Sequence, residues 1–473
     1  MAQKFETVEQ LIAVIRKMTI LQLREMAREF DVIPRNLPRE ELIRRIVASY
    51  KGEIEPEIRI KSGRPTKKVS LAKQKYDEDL FCSDASNDNV DKNLPRTGIL
   101  EILPEGYGFV RTENYSSHPG RDYHMSQSLI AKMGLCTGDK VKVLLHQFPD
   151  RNVPTAVFVQ EINDQPCDQI NRVKFESLQA CFPKERIILE SEKYDYSLRA
   201  LSLVAPIGKG QRGLIVAPPK TGKTILLKKI AMAVRKNHPE IHLTVLLIDE
   251  RPEEVTDLQE SVDCDVVYST FDQSPQNHIR IAELVFANAR RRVEQGQDVM
   301  ILLDSITRLS RAYNQTAEQT GRTLTGGLDI GALQQPKRMF GLGRNTKGAG
   351  SLTVLATALI DTGSKMDDII YEEFKGTGNM EIQLDRRLSE KRIFPAIDLN
   401  QSGTRREELL LNQNQLEGMY LTRRLLAGED SVTATENLLE IIMTTDNNDQ
   451  AIETLKILVK NAQARRKNQQ WKL

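Results

Sequence analysis

The segment from Gly213 to Thr224 constrains this chain more than any other. It reads Gly-Leu-Ile-Val-Ala-Pro-Pro-Lys-Thr-Gly-Lys-Thr: an apolar run, a loop, then a helical pattern through Ile225–Val234. From Ala217 onward it fits the phosphate-loop pattern G-x-x-x-x-G-K-[ST], with Ala217 in place of the first glycine. Each residue type has a chemical reason. Gly222 lets backbone N–H groups approach phosphate oxygens closely, and the following helix directs its positive end at the anion. Lys223 is placed to neutralise β- and γ-phosphate charge and Thr224 to ligate Mg²⁺; Lys220 adds a cation within the loop. A Gly-Lys-Thr tripeptide alone is a weak signal, but here a buried-strand pattern precedes it and a helical one follows.

The chain from residue 196 onward supplies the rest of such a fold. Apolar runs at Gly213–Ala217, Leu243–Ile248, Val266–Thr270, Val299–Leu303, Leu352–Leu359 and Ile393–Ile397 have helical patterns between most of them. That rhythm predicts a largely parallel sheet covered by helices. Two runs end in acid. Val299–Leu303 leads into Asp304, the expected metal-holding carboxylate of a phosphate-loop enzyme. Leu243–Ile248 leads into Asp249-Glu250-Arg251, and Glu250 is the candidate general base for an attacking water. A surface salt bridge between Glu250 and Arg251 is the plainer alternative. Open α/β sheets bind ligands at the carboxyl ends of their strands, which favours catalysis.

The first 195 residues are organised differently. Residues 1–50 carry three sets of apolar residues at helical spacing and read as a small helical bundle, a packing or docking module. Residues 51–93 hold seven basic residues from Arg59 to Lys75, then six acidic ones from Asp77 to Asp91, with few large apolar side chains; such blocks read as a disordered linker. Residues 94–166 show short strand signals at Ile99–Leu103, Tyr107–Arg111, Val141–Leu145 and Ala156–Val159, parted by Gly, Pro, Asn and Asp, which suggests a small β-barrel. Residues 167–195 connect it to the α/β domain. The fold class is therefore multidomain α+β and α/β.

Composition narrows the setting. A net charge of +2 gives no bulk argument for nucleic acid, so any such case rests on local sites. Five cysteines are scattered without a C-x-x-C pair, which fits a reduced cytoplasmic setting. The polar start is no secretory signal, and no apolar run approaches the ~20 residues of a membrane span.

Several ordered motifs resemble the Rho family of bacterial transcription termination factors. They are Pro206–Gly213, Ala217–Thr224, Asp249–Val255, Leu303–Leu309, Leu324–Leu328, Ala358–Lys365, Glu372–Met380, Phe394–Asp398 and Ser402–Arg405. The resemblance covers roughly residues 94–430. It implies a homohexameric ring of RecA-like ATPase domains with ATP and Mg²⁺ between subunits. It also implies an OB/cold-shock-like barrel binding single-stranded RNA, RNA polymerase and elongation factors as partners, and no membrane. Lys220, Thr221, Gly222, Lys223, Thr224 and Ile225 match the family's nucleotide loop. Gly208, Lys209, Gly210, Gln211, Arg212 and Gly213 match a segment bordering it. Arg251 matches a nucleotide-contacting arginine and Phe394 an aromatic ring near adenine. Arg405 matches an arginine supplied across the subunit interface, with Arg392 nearby as a second candidate.

For RNA, Tyr107 and Phe109 stand two apart on one strand face, suited to base stacking or, alternatively, to a barrel core. Arg111 repeats that face and can meet phosphate. The resemblance makes Gly106, Tyr107, Gly108, Phe109, Val110 and Arg111 part of a primary RNA site. Asp122, Tyr123 and His124 belong to it too, His124 standing where the family usually carries tyrosine. The later acidic–basic–aromatic segment has only Arg151, Asn152 and Val153 as its nearest match. Two loops match the family's central-channel contacts: one with Arg322, Thr323 and Thr325, the other with Lys365. The expected activity is RNA-dependent ATP hydrolysis that pulls RNA through the ring and releases the transcript. Two rivals stand beside it: a ring ATPase acting on duplex DNA or polypeptide, and an RNA-binding scaffold that uses ATP only to hold its ring together.

Overall fold

A computed structural model describes residues 43, 44, 47, 95–118, 121–148, 153–167, 172–317, 323–324, 326–426 and 430–470. The expected helical module and charged linker lie outside these apart from residues 43, 44 and 47, which are helical. The described residues from 95 onward belong to one compact unit.

The barrel is built from β1 (Arg96–Ile102), β2 (Gly108–Arg111), β3 (Tyr123–Met125), β4 (Lys140–His146) and β5 (Thr155–Ile162), with β6 (Gln165–Pro166) appended. The strands run in the order β3-β2-β1-β4-β5-β6, and a parallel pairing of β3 with β5 closes the sheet. Alternation explains the closure. Leu100, Val110, Met125, Val141, Val143, Ala156 and Val159 point inward and fill a separate core, so their neighbours along each strand face out.

Short strands β7 (Ala180–Cys181), β8 (Arg186–Ile187) and β9 (Ile207–Gly208) lead into the large sheet. Its strands are β10 (Arg212–Ala217), β11 (His242–Glu250), β12 (Asp265–Thr270), β13 (Val299–Asp304), β16 (Arg344–Thr346), β17 (Ser351–Leu359), β18 (Met380–Leu384) and β19 (Ile397–Thr404). A hairpin of β14 (Thr323–Leu324) and β15 (Leu328–Asp329) stands apart. The order β12-β11-β13-β17-β10-β18-β19 is parallel through β18, with β19 antiparallel at one edge. Both faces are covered, and the two buried clusters on either side account for the continuous apolar strands.

One expected strand is displaced. Ile393–Ile397 is not a strand; β19 begins at Ile397. Pro395 has no N–H for the ladder, and Arg392 turns the chain at φ 62°. The strand that sequence reading passed over is β18, whose alternating Met-Glu-Ile-Gln-Leu lacks a continuous apolar run.

The outer edge of β12 faces the barrel. There the Asn114 carboxamide accepts from the Tyr268 N–H and donates to the Tyr268 carbonyl, both at 2.8 Å. Asn288 donates to the Gly138 carbonyl at 2.7 Å, and Arg280 pairs with Glu101 at 3.0 Å.

Candidate nucleotide and RNA sites

The phosphate loop joins β10 to the helix Lys223–Asn237 at the carboxyl edge of the sheet. Gly222 is the residue before the helix and adopts φ 84°, a conformation that a side chain strains. The Thr221 hydroxyl turns inward to the Pro218 carbonyl at 2.8 Å, whereas Ile225 faces outward. Phe394 lies over Gly222: a Cβ there would stand 3.5 Å from the Phe394 ring.

Three charged side chains meet behind the loop. Lys223 Nζ contacts Asp304 Oδ1 and stands 3.2 Å from Glu250 Oε1. β11 and β13 are neighbours, and a bulge between Ile248 and Glu250, with Asp249 at φ 58°, turns Glu250 into the site. Asp304 is fully buried; its Oδ1 also accepts from Thr357 at 2.7 Å, and its Oδ2 has no hydrogen-bond partner among the described residues. Burial and then the Asp304 charge push the Glu250 carboxyl above the ordinary range, opposed by Lys223 and Arg308. Burial pulls Lys223 down, but Asp304 and Glu250 outweigh it and hold its ammonium above an ordinary lysine. Arg308 reaches Glu250 Oε2 at 3.2 Å. Arg251, matched by the resemblance to a nucleotide-contacting arginine and offered in the plainer alternative as the partner of Glu250, is exposed at the head of the helix Pro252–Ser261. Glu254 on that helix escaped the sequence reading. It accepts from the Thr224 hydroxyl at 3.2 Å, and its signal was only its place two residues after the proline in Asp249–Val255.

The structure does not bring Gly208–Gly213 to this protomer's loop. They precede or begin β10, at the opposite edge of the sheet. Lys209 pairs with Asp298 at 2.8 Å, and Arg212 donates to the carbonyls of Thr377 and Gly343. Arg405 lies at that same edge. Its N–H donates to the Asn379 carbonyl at 2.9 Å, and the Asn379 side chain accepts from the Arg212 N–H at 2.8 Å. From Arg212 to Ala217 the strand spans about 16 Å, so Arg405 cannot touch its own phosphate loop. Arg392 is exposed near Phe394.

On the barrel, Tyr107, Phe109 and His124 form an outward cluster with ring centroids 5.6–6.0 Å apart. Phe109 and His124 are register partners across β2 and β3. Tyr123 instead packs against the barrel core, and Val110 is wholly inside it. Arg111 is not free for phosphate. It is buried, bonded to Glu101 at 2.6 Å and to Asp122 at 2.7 Å, with its guanidinium 5.0 Å from the Phe109 ring. Asp122 is likewise an internal partner. Gly108 lies so close to β1 that a Cβ would stand 2.8 Å from the Glu101 carbonyl. Gly106 ends the turn before Tyr107. Val153 is partly buried; Arg151 and Asn152 lie outside the described residues.

Arg322 and Thr325 lie outside them too, while the Thr323 backbone pairs with Asp329. Lys365 is exposed at the first position of the helix Lys365–Lys375. The two loops meet: a Cβ on Gly326 would stand 3.0 Å from Met366 N. The second loop is also tied to the nucleotide side. Ser305, directly after Asp304, caps the helix Ile306–Thr316. Arg311 on that helix forks onto Asp367 at 2.8 and 2.6 Å, and Thr362 donates to the same carboxylate at 2.6 Å.

Comparison with known proteins agrees with this anatomy. Residues 96–168 match the domain family described as Rho termination factor, RNA-binding domain. Residues 197–404 match the nucleotide-binding domain of the ATP synthase alpha/beta family. In fold, the chain is similar to the assembled ATPase EscN of the enteropathogenic E. coli type III secretion system, at 21% identity and a TM-score of 0.50 over 66% of this chain and 79% of that one. Transcription termination factor Rho of Aquifex aeolicus is 50% identical over 366 residues, 76% of this chain and 84% of its own length. That of Pseudomonas aeruginosa is 47% identical over 393 residues, 82% of this chain and 94% of its own length. With an RNA-binding barrel and an ATP-hydrolysing domain in one chain, and that identity over most of both sequences, the chain belongs to the Rho family of transcription termination factors.

Proposed function

We propose that the chain binds nascent RNA on the Tyr107–Phe109–His124 cluster, threads it past the Lys365 loop of a homohexameric ring, and uses ATP hydrolysis to pull it. Release of the transcript from RNA polymerase in the bacterial cytoplasm follows from that pull. One observation carries the reading: Lys223, Glu250 and Asp304 converge behind the phosphate loop, while Arg405 stands at the far edge of the same sheet. A site split in this way is completed only by a neighbouring subunit.

The chemistry assigns itself by position. Loop N–H groups and Lys223 hold the β- and γ-phosphates. Glu250, raised by burial and the Asp304 charge, is suited to orient and deprotonate the attacking water. Arg405 of the adjacent subunit offsets charge on the transferring phosphoryl group, and Phe394 packs against the base. The residues present fit Mg²⁺: the Lys223 ammonium stands between two buried carboxylates as a cation would, Asp304 Oδ2 is orphaned, and Thr224 and Glu254 add hard oxygen donors. Thr224 and Asp304 would hold the ion, and it would supply positive charge that offsets the charge of the phosphates. The helix Ile306–Thr316 begins beside Asp304 and grips Asp367, so a shift at the nucleotide reaches the Lys365 loop through the Arg311 fork.

Glu250→Gln tests this. The variant should keep ATP affinity, measured by filter binding, and lose RNA-stimulated turnover. Turnover at the wild-type rate removes Glu250 from the mechanism. Stimulation by single-stranded RNA, absent with duplex DNA, separates the reading from a ring ATPase acting on another polymer.

A further inference from the structure

The outer face of the barrel carries a second pair of rings that neither site described above includes. His146 closes β4, and Phe148 follows two residues later. Their ring centroids stand 4.6 Å apart at an interplanar angle of 74°, an edge-to-face contact. His146 is exposed and Phe148 half-buried.

Strand register ties this pair to the Tyr107–Phe109–His124 cluster. Phe109 of β2 is opposite His124 of β3, His124 is opposite Thr155 of β5, and Thr155 is opposite His146 of β4. Residues directly opposite one another share a face of a sheet, so the four form one row. Val110, Met125, Ala156 and Leu145, their neighbours along each strand, pack in the barrel core, which leaves the row outside. Thr155 is buried, so only the rings of the row reach the surface. The row crosses the seam where β3 pairs with β5 and closes the barrel. Its three strand spacings cover about 14 Å, about four times the ~3.4 Å step between bases along a strand.

The surroundings select a base over a phosphate. Both lysines of β4 are already taken, Lys140 by Asp164 at 2.8 Å and Lys142 by Glu161 at 2.7 Å. Farther along the same hairpin the outer face is apolar: Leu144 lies opposite Phe158, which is 40% exposed. Rings whose neighbouring cations are consumed bind flat bases by stacking, and splayed bases are what a single strand offers. His146 adds ring nitrogens that can bond a base edge. The pair also lies inside residues 96–168, the stretch that matches an RNA-binding domain.

We propose that His146 and Phe148 form a second base-stacking platform, so that one RNA strand runs from the Tyr107–Phe109–His124 cluster across the β3–β5 seam onto β4. The proposal rests on the reading of that cluster as the primary RNA site. Phe148→Leu keeps apolar bulk and removes the ring; Phe148→Tyr keeps the ring. The test measures affinity of the full-length protein for an RNA of about five nucleotides, near the lower limit for one such barrel. The same RNA lacking one base, at each position in turn, is measured beside it. Phe148→Leu should weaken the intact RNA about tenfold, the worth of one stacked base. One of the base-less RNAs should bind wild type and Phe148→Leu equally, because its stack is already gone. That position should differ from the one that becomes indifferent to Phe109→Leu. Phe148→Tyr should keep the wild-type pattern. His146→Ala, at an exposed position, gives the same readout where Phe148→Leu destabilises the barrel. Unchanged affinity for the intact RNA in both Phe148→Leu and His146→Ala overturns the proposal. So does a loss that is equal whichever base is missing, since the ring then shapes the barrel and meets no base. Coincidence of the Phe148-sensitive and Phe109-sensitive positions means one platform and equally overturns it. Unchanged RNA affinity in Tyr107→Ala with Phe109→Ala defeats the reading of the cluster itself; a loss there with none in Phe148→Leu and His146→Ala defeats the second platform alone.

Discussion

Arg405 and Lys223 lie at opposite edges of one sheet, and that separation predicts complementation between two dead proteins. Arg405→Ala leaves a protomer with an intact phosphate loop and no arginine for its neighbour. Lys223→Ala leaves the arginine and disables the loop. Each homogeneous assembly should lose about 10³-fold or more in hydrolysis, roughly 4 kcal/mol of transition-state stabilisation. With the roughly 16 Å length of β10 between the two edges, neither defect is repaired within its own chain. In rings reassembled from an equal mixture, an interface works when the loop comes from Arg405→Ala and the arginine from Lys223→Ala. That happens at about one interface in four for random cyclic assembly. Single-turnover hydrolysis with radiolabelled ATP reads each interface once and so does not require sites to fire in sequence. The burst should rise from near zero to about a quarter of the wild-type amplitude. If mixing restores nothing while mass measurements show mixed rings, Arg405 does not act across the interface.

Other expectations follow from the same geometry. Arg308→Gln removes a cation that lowers the Glu250 pKa. Glu250 should then protonate at higher pH, so the acid limb of the kcat–pH profile should move upward; a limb that stays or moves down contradicts Glu250 as the base. Arg111→Met should lower the melting temperature of the barrel, because it strands the buried carboxylate of Asp122 and leaves Glu101 with Arg280 alone of its two cations. Breaking such a pair costs about 3–5 kcal/mol, and calorimetry showing an unchanged transition would return Arg111 to the RNA surface. Tyr107→Ala with Phe109→Ala should do the reverse: weaken RNA binding by about 1–3 kcal/mol per stacked base with little change in melting. If affinity holds and the barrel unfolds, those rings serve the core.

Much of this anatomy was legible because its signals are local. The phosphate loop is one continuous segment, and Asp304 and Glu250 each end an apolar run, so strand pattern alone puts them at the sheet edge. The barrel strands were legible from alternation. Side chains whose role depends on long-range partners were not. Nothing near Arg111 shows that Glu101 and Asp122 consume its charge, and period-two spacing alone gave it the face of Phe109. Gly208–Gly213 adjoin the phosphate loop in sequence, yet β10 carries them to the other edge. Glu254 becomes visible only when the helix Pro252–Ser261 brings it to Thr224. β18 was missed because alternation at a half-covered position resembles surface, and Pro395 broke the strand expected beside it.

The carboxamide of Asn114 has a consequence for how copies of this chain can meet. An uncapped β12 would invite another sheet to add strand by strand, and growth in that direction has no natural stopping point. Here the molecule plugs that flank with its own barrel. Under the split-site proposal, copies would meet instead through the ends of their strands, where one presents a phosphate loop and the other an arginine. A side-chain amide outside the candidate ATP and RNA sites thereby closes this flank of the sheet to open-ended stacking.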